Sequence, residues 1–268
     1  MKRRSFTQSL ISAAAGAALL SGFAATAQAE GLSNRPIRIV VPFGAGGVAD
    51  VTARVVAQQL STQLGQPVVI DNKPSAGGIV AADTVAKAAP DGHTLFLMSN
   101  GSAVTVNLFN NLPFDMVKDL TPISTLGYFD IGVITDAKSP FKNLGELVSY
   151  AKANPGKVKV ATVGKLTGDH LFLMQIEKLT GAKFTQVAYS GSGKAIPALL
   201  SGEVDAYFGS GSSFLRMEKT RGLAIGSKER YELCPDVPTF IEQGYAIESG
   251  KYRGLATPQN IPAEARQY

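Results

Sequence analysis

The stretch IRIVVPFGAGGVADVTARVVAQQLSTQLG, residues 37–65, decides the fold class. Ile37 to Val41 is a compact apolar run rich in β-branched residues, the composition of a buried strand. Pro42 and the glycines at 44, 46 and 47 end it. Ala53, Val56, Ala57, Leu60 and Leu64 then recur at helical spacing until Gly65 closes the stripe. The order of strand, glycine loop and helix is the first half of a β-α-β unit.

The pattern continues outward from this segment. Val68 to Asp71 reads as a second strand, Ile79 to Ala88 as a helix ending before Pro90-Asp91-Gly92, and Thr94 to Met98 as a third strand, so the sheet is parallel. It restarts downstream with a helix over 144–154, a strand over 158–163 and a helix over 168–179. A strand over 183–187, a helix over 194–200 and a strand over 204–208 follow. A stretch around 120–140 separates the two series. The expected architecture is therefore α/β in two domains, 30–124 plus 222–268 and 125–221, with crossovers near 125 and 220. Each domain is expected to be a mixed, mainly parallel sheet flanked by helices, and paired domains of this kind bind something between them.

Composition narrows the function. Apolar residues make up 45% of the 268 and charged residues 18%, a globular balance. The net charge is +5, but Lys2, Arg3 and Arg4 account for three of it, and the remaining +2 does not call for a nucleic-acid partner. One Cys and two His exclude structural zinc and iron–sulfur clusters. Residues 1–29 form an export signal: a basic start, an apolar stretch over 10–25, and Ala27-Gln28-Ala29 as the cleavage site. Arg3-Arg4-Ser5-Phe6 leaves Sec and twin-arginine export both open.

GAGGVA (44–49) with Asp71 matches a dinucleotide fingerprint by spacing. However, Pro42-Phe43 intrudes before the glycines, and Asp50 in the first helical turn opposes a pyrophosphate. A glycine loop at a helix N-terminus also suits a single carboxylate, and a plain tight turn remains the alternative. SGSGKA (190–195) has alanine at 188 and 195, where a phosphate loop needs Gly and Ser or Thr, so nucleoside triphosphates are rejected. Gly164 to Gly168 is a second glycine turn, with Thr167 and Asp169 placed to cap the next helix. His170 reads as a structural hydrogen-bonder ahead of a ligand contact. Asp50 and Arg54 read as an i,i+4 ion pair. Asn100 follows a strand on the side where α/β ligands bind. No catalytic constellation and no cofactor site emerge.

Several segments, VVPFGAGGVADVTAR (40–54), NKPSAGG (72–78), PDGHTLFLMSN (90–100), LGELVSYAKANPGKVK (144–159), GDHLFLMQIEKLTG (168–181), VAYSGSGKAIPALLSGEVDAYF (187–208), CPDVPTFIEQGY (234–245) and GLATPQNIPAEA (254–265), resemble in order and spacing the tripartite tricarboxylate transporter substrate-binding receptors, the Bug family. The resemblance implies a periplasmic, two-domain Venus-flytrap protein that takes a small carboxylate and passes it to membrane permease subunits. It implies a monomer with no metal, cofactor or chemistry of its own. It further implies that backbone groups and waters at Phe43, Gly44, Ala45, Gly46 and Gly47 hold the carboxylate from one domain. The turn of Thr167, Gly168, Asp169 and His170 would hold it from the other, with Ser99, Asn100, Tyr189, Ser190, Gly191 and Asp205 lining the cleft.

Two departures stand beside the resemblance. Lys165 and Leu166 make the second turn leaner in Ser and Gly than the family norm. The family continues past IPAEA with helices that pack on the first domain, so a truncated form is expected here. A receptor for a two-component sensor kinase uses the same ligand-driven closure and stays open as an alternative; a secreted α/β enzyme using Asp50 or His170 is disfavoured. The export reading has a direct consequence: N-terminal sequencing of the exported protein is expected to begin at Glu30, and retention of residues 1–29 refutes it.

Overall fold

The computed structural model describes residues 35–109, 111–214 and 218–267; the export signal falls outside them. The first lobe opens with β1 (Ile37–Val41), α1 (Val48–Leu64), β2 (Val68–Asn72), α2 (Ile79–Ala86), β3 (Thr94–Ser99) and α3 (Asn100–Leu108). β1 lies between β2 and β3, parallel to both, as the β-α-β reading requires. α1 ends on Gly65, whose left-handed backbone (φ 66°) is the usual glycine stop. It packs on the sheet through the small side chains of Ala49, Ala53 and Ala57, which let helix and strand approach closely.

The second series consists of α4 (Leu144–Ala153), β5 (Lys159–Val163), α5 (Gly168–Thr180), β6 (Thr185–Tyr189), α6 (Ser192–Leu200) and β7 (Ala206–Ser210). β5 runs parallel to β6 and β7. Asn143 caps α4: its Oδ1 accepts from Glu146 N–H and its Nδ2 donates to Glu146 Oε1, so that helix starts where the sequence places it.

The separating stretch is itself structured. β4 (Leu120–Asp136) is one long strand: residues 120–130 pair antiparallel with β9 (Gly250–Pro258) in the first sheet, and 131–136 with β7 and β8 (Thr220–Ile225) in the second. β9 also pairs antiparallel with β3, which makes the first sheet mixed, and the antiparallel β4–β7 pairing makes the second one so. The chain therefore leaves the first sheet at Asp130/Ile131 and returns at Ser249/Gly250, which corrects the expected crossovers near 125 and 220. The cause is that an unbroken strand carries no turn residue to mark where its partner changes. Residues 222–249 stay with the second lobe: Leu223, Ala224, Phe240 and Ile247 are buried with Ile131, Phe172 and Phe208 in one core.

Three backbone hydrogen bonds lock the crossing: Ile131 N–H to Ser249 O (3.0 Å), Gly226 N–H to Ile131 O (2.7 Å) and Ser249 N–H to Gly226 O (3.0 Å). A Cβ on Gly226 would collide with the Ser249 and Ile131 carbonyls, so only glycine fits there. A separate apolar cluster joins the lobes, with Ile39, Val41, Phe43 and Leu97 from the first and Ile134, Ala161, Val163 and Tyr207 from the second.

Phe240 tests where the 222–249 segment belongs. It meets Phe172 edge-on with ring centroids 5.2 Å apart and is fully buried. Phe240→Ala is expected to cost about 3–5 kcal/mol in denaturant unfolding. Native-state hydrogen exchange is expected to lose protection in β5 and α5, with β1 and β3 unaffected; the reverse pattern contradicts this assignment.

Candidate functional site

The glycine loop between β1 and α1 is shaped by Asp50, whose side chain is buried. Its Oδ2 accepts from Gly46 N–H and from Arg54 Nε, both at 2.9 Å, and its Oδ1 accepts from Asn72 Nδ2 at 3.0 Å. Asn72 Nδ2 also donates to Phe43 O at 3.0 Å. Burial opposes ionisation of Asp50, but Arg54, the Gly46 N–H and Asn72 outweigh it, and the carboxyl sits below its ordinary value. The i,i+4 pair read from the sequence is present, and the same carboxylate also folds the loop back on its helix. Gly46 takes a left-handed backbone (φ 76°) there, at the exposed rim beside Ala45.

Across the cleft a second glycine-rich turn, 190–193, interlocks with this loop. Gly44 N–H donates to Ser190 O at 2.7 Å and Val48 N–H to Ser192 Oγ at 3.1 Å. A Cβ on Gly193 would lie 3.0 Å from Ala45 O, and one on Gly191 3.1 Å from Gly44 O. These glycines are what allow two backbones to touch. The N–H groups of Gly44, Gly46 and Val48 thus bond to protein acceptors, whereas the sequence reading offered this loop's N–H groups to a carboxylate.

The turn at 164–170 is likewise engaged. Gly77 N–H reaches Lys165 O from the other lobe at 3.3 Å. Thr167 stands at the N-cap position of α5, yet its hydroxyl donates to Gly164 O (3.3 Å) and leaves the helix N–H groups uncapped by the side chain, against the expected capping role. His170 Nδ1 accepts from Leu166 N–H at 3.2 Å, so the ring holds the turn closed. Asp169 is fully buried; its Oδ2 accepts from Val163 N–H at 3.2 Å and its Oδ1 pairs with Lys251 of the first lobe.

Lys251 and Arg253, on β9, are the residues that sequence reasoning missed. Their alternation along a strand places both on one side, with Tyr252 on the other. Asn100 clamps the strand around them: its Nδ2 donates to Gly250 O (3.1 Å) and its Oδ1 accepts from Tyr252 N–H (2.9 Å). Both cations are buried, at 4% exposure each. The Arg253 guanidinium stacks over the Phe43 ring, 5.0 Å from its centroid. Burial pushes the Lys251 ammonium below its ordinary pKa, with Asp169 opposing the shift, and burial lowers Arg253 in the same sense.

These side chains separate two small cavities between the lobes, both lined by Phe43, Val163, Lys251 and Arg253. Ser99, Asn100, Thr167, Gly168 and Asp169 complete one; Gly47, Gly191, Ser192, Tyr207 and Ser210 line the other. Tyr207 is fully buried, and burial, followed by the charge of Asp169, raises its pKa well above the ordinary value, so its hydroxyl stays protonated.

Two expected cleft residues lie elsewhere. Asp205 is exposed and accepts from Lys159 N–H at 2.7 Å, because it precedes β7 and so sits at the opposite end of the sheet from the cleft. The Tyr189 hydroxyl turns away to Glu203 Oε1 at 2.6 Å. Among the described residues no group of three or more His, Cys, Asp or Glu is placed to hold a metal ion, and no helix is long and apolar enough to cross a membrane.

Two mixed α/β lobes joined by crossing strands, with a charged cleft between them, define a two-lobed solute receptor of the Venus-flytrap kind. The chain belongs to the tripartite tricarboxylate transporter receptor family, whose model matches residues 52–267. It is 36% identical over 262 residues to the UPF0065 protein of the gbd 5' region of Cupriavidus necator, covering 97% of this chain and 80% of that one. It is 38% identical over 230 residues to BugT of Bordetella pertussis, covering 84% and 71%. Among solved structures, periplasmic binding protein BugD aligns with a TM-score of 0.82 at 30% identity, over 87% of this chain and 79% of BugD. MatC from Rhodopseudomonas palustris, with bound malate, aligns at 0.80 and 34%, over 87% and 81%. R. palustris Rpa4515, with adipate, aligns at 0.82 and 28%, over 87% and 80%.

The bond to His170 Nδ1 requires a neutral ring. Burial, then the charge of Lys165, holds its folded-state pKa below the ordinary 6.5. The unfolded chain therefore takes up the proton first as pH falls, so the stability from His170 is complete above about pH 6.5 and is lost below it. The difference in melting temperature between wild type and His170→Ala is expected to shrink from pH 7.5 to pH 5. A difference that grows on acidification refutes the neutral-ring assignment.

Proposed function

We propose that this protein is an exported receptor that captures a small carboxylate between its lobes and delivers it, unchanged, to the permease subunits of a tripartite tricarboxylate transporter. One observation carries the reading: two cations, Lys251 and Arg253, are buried at the lobe interface against a single carboxylate, Asp169. A cleft of that charge favours an anion when the lobes close on it. The malate on MatC and the adipate on Rpa4515 support the ligand class, since both related proteins hold small carboxylic acids.

Binding without turnover fits the groups at hand. His170 is committed to the Leu166 backbone, and burial pushes the Cys234 thiol up, away from the reactive thiolate. The protein is expected to reside in the periplasm as a monomer, with the export signal removed after Ala29.

Thermal shift and calorimetry across small mono-, di- and tricarboxylates test this. At least one acid is expected to bind one-to-one; at a hundredfold excess over its Kd it adds about 2.7 kcal/mol of stability. Mass spectrometry is expected to recover that ligand unaltered. Failure of every acid to bind, or conversion of the ligand that disappears in His170→Ala, overturns the proposal.

A further inference from the structure

The interlobe charges do not balance, and the excess sits on one side chain. Lys251 and Asp169 neutralise each other as a buried ion pair. Both Asp169 oxygens are thereby committed, one to Lys251 and the other to the Val163 N–H. Among the described residues Arg253 forms no ion pair of its own, and the charge of Asp169 reaches it only from beyond contact distance. Its Nη1 donates to Tyr252 O at 2.9 Å, its flat face lies on Phe43, and none of the described groups accepts a hydrogen bond from its Nε. A carbonyl and an aromatic ring supply partial charge only, and a buried cation without a full counter-charge is costly.

Phe43 covers one face of the guanidinium and Nη1 is taken by Tyr252 O, and Arg253 lines both adjoining cavities with its Nε unpartnered among the described residues. A guanidinium with free donors suits a carboxylate, which accepts two parallel bonds in one plane. The neutral polar groups around it, Ser99, Ser210 and Tyr207, add hydrogen-bonding capacity without changing the charge. One negative charge therefore completes the site, and a second would be buried without a cation of its own.

Building on the carboxylate-receptor reading, we propose that Arg253 is the ligand's anion anchor, and that the site selects acids whose buried part carries a single negative charge. The class is monocarboxylates, and longer acids whose far end is uncharged or remains in water. The anchor is a side-chain charge delivered by β9, distinct from the N–H groups of Gly44 and Val48, which bond to the other lobe, and of Gly46, which bonds to Asp50.

The test uses wild-type protein and two matched series, succinate and adipate, each as diacid, monomethyl ester and dimethyl ester, in calorimetry at neutral pH. The half-ester is expected to bind at least as tightly as the diacid, and the diester about a hundredfold more weakly. Arg253→Met is expected to weaken the half-ester by about tenfold or more and to flatten the series. The melting temperature without added acid is expected to hold or rise, since removing an unpaired buried cation relieves the protein. A diacid that binds about tenfold tighter than its half-ester overturns the single-charge rule, and this needs no variant. A half-ester to diester ratio unchanged in Arg253→Met overturns the anchor. Absence of binding by every acid of both lengths removes the carboxylate reading and this inference with it; binding that ignores charge removes this inference alone.

Discussion

The chain passes between the two sheets at Asp130/Ile131 and again at Ser249/Gly250, and the hydrogen bonds among Ile131, Gly226 and Ser249 hold those passages together. The rest of the molecule depends on this crossing. Because β4 is continuous through it, the two sheets share one strand and no loop intervenes at that passage. Because β9 starts directly after it, strand alternation sets Lys251 and Arg253 at the base of the cleft. Asn100, the first residue of α3, then fixes their register from the first lobe.

Charge and closure are coupled by this arrangement. Lys251 comes from the first lobe and Asp169 from the second, so their ion pair exists only when the lobes meet. The same closure stacks Phe43 and Val163 into the shared apolar cluster and withdraws the charges from water. Desolvation then strengthens each electrostatic interaction and makes any unbalanced charge expensive. An anion admitted at Arg253 acts on closure as well as on binding, and in such a system the two are one equilibrium.

The glycine-rich turns have a different task from the one their composition first indicates. A loop of glycines at a helix N-terminus is a ready anion site, but here Asp50 takes the Gly46 N–H, and Ser190 and Ser192 take those of Gly44 and Val48. The glycines serve contact between lobes: 44–47 and 190–193 approach to distances that any side chain at Gly191 or Gly193 would crowd. The Gly44 and Val48 donors join the closed lobes, and the Gly46 donor folds the loop on its own helix.

Local pattern was enough to read the βα units, because a buried strand, a glycine turn and an amphipathic helix each leave a signature within about fifteen residues. It was also enough to read the Asp50–Arg54 pair and the structural role of His170, whose partners lie four residues away. Family resemblance pointed to Ser99, Asn100, Thr167, Gly168 and Asp169, and these five surround one of the two interlobe cavities. The crossings were not legible, since β4 changes partners at 130/131 within one strand and the return at 249/250 falls in a stretch with no periodic pattern. Nor were Lys251 and Arg253, two charges in a stretch to which the sequence pattern assigned no element. Their burial, the pairing with Asp169 across 82 positions and the stacking on Phe43 arise only when two sheets close on each other. Asp205 and Tyr189 failed for related reasons: the packing of the lobes sets which end of β7 faces the cleft, and Tyr189, at the cleft end of β6, turns its hydroxyl to Glu203, a partner fourteen residues away.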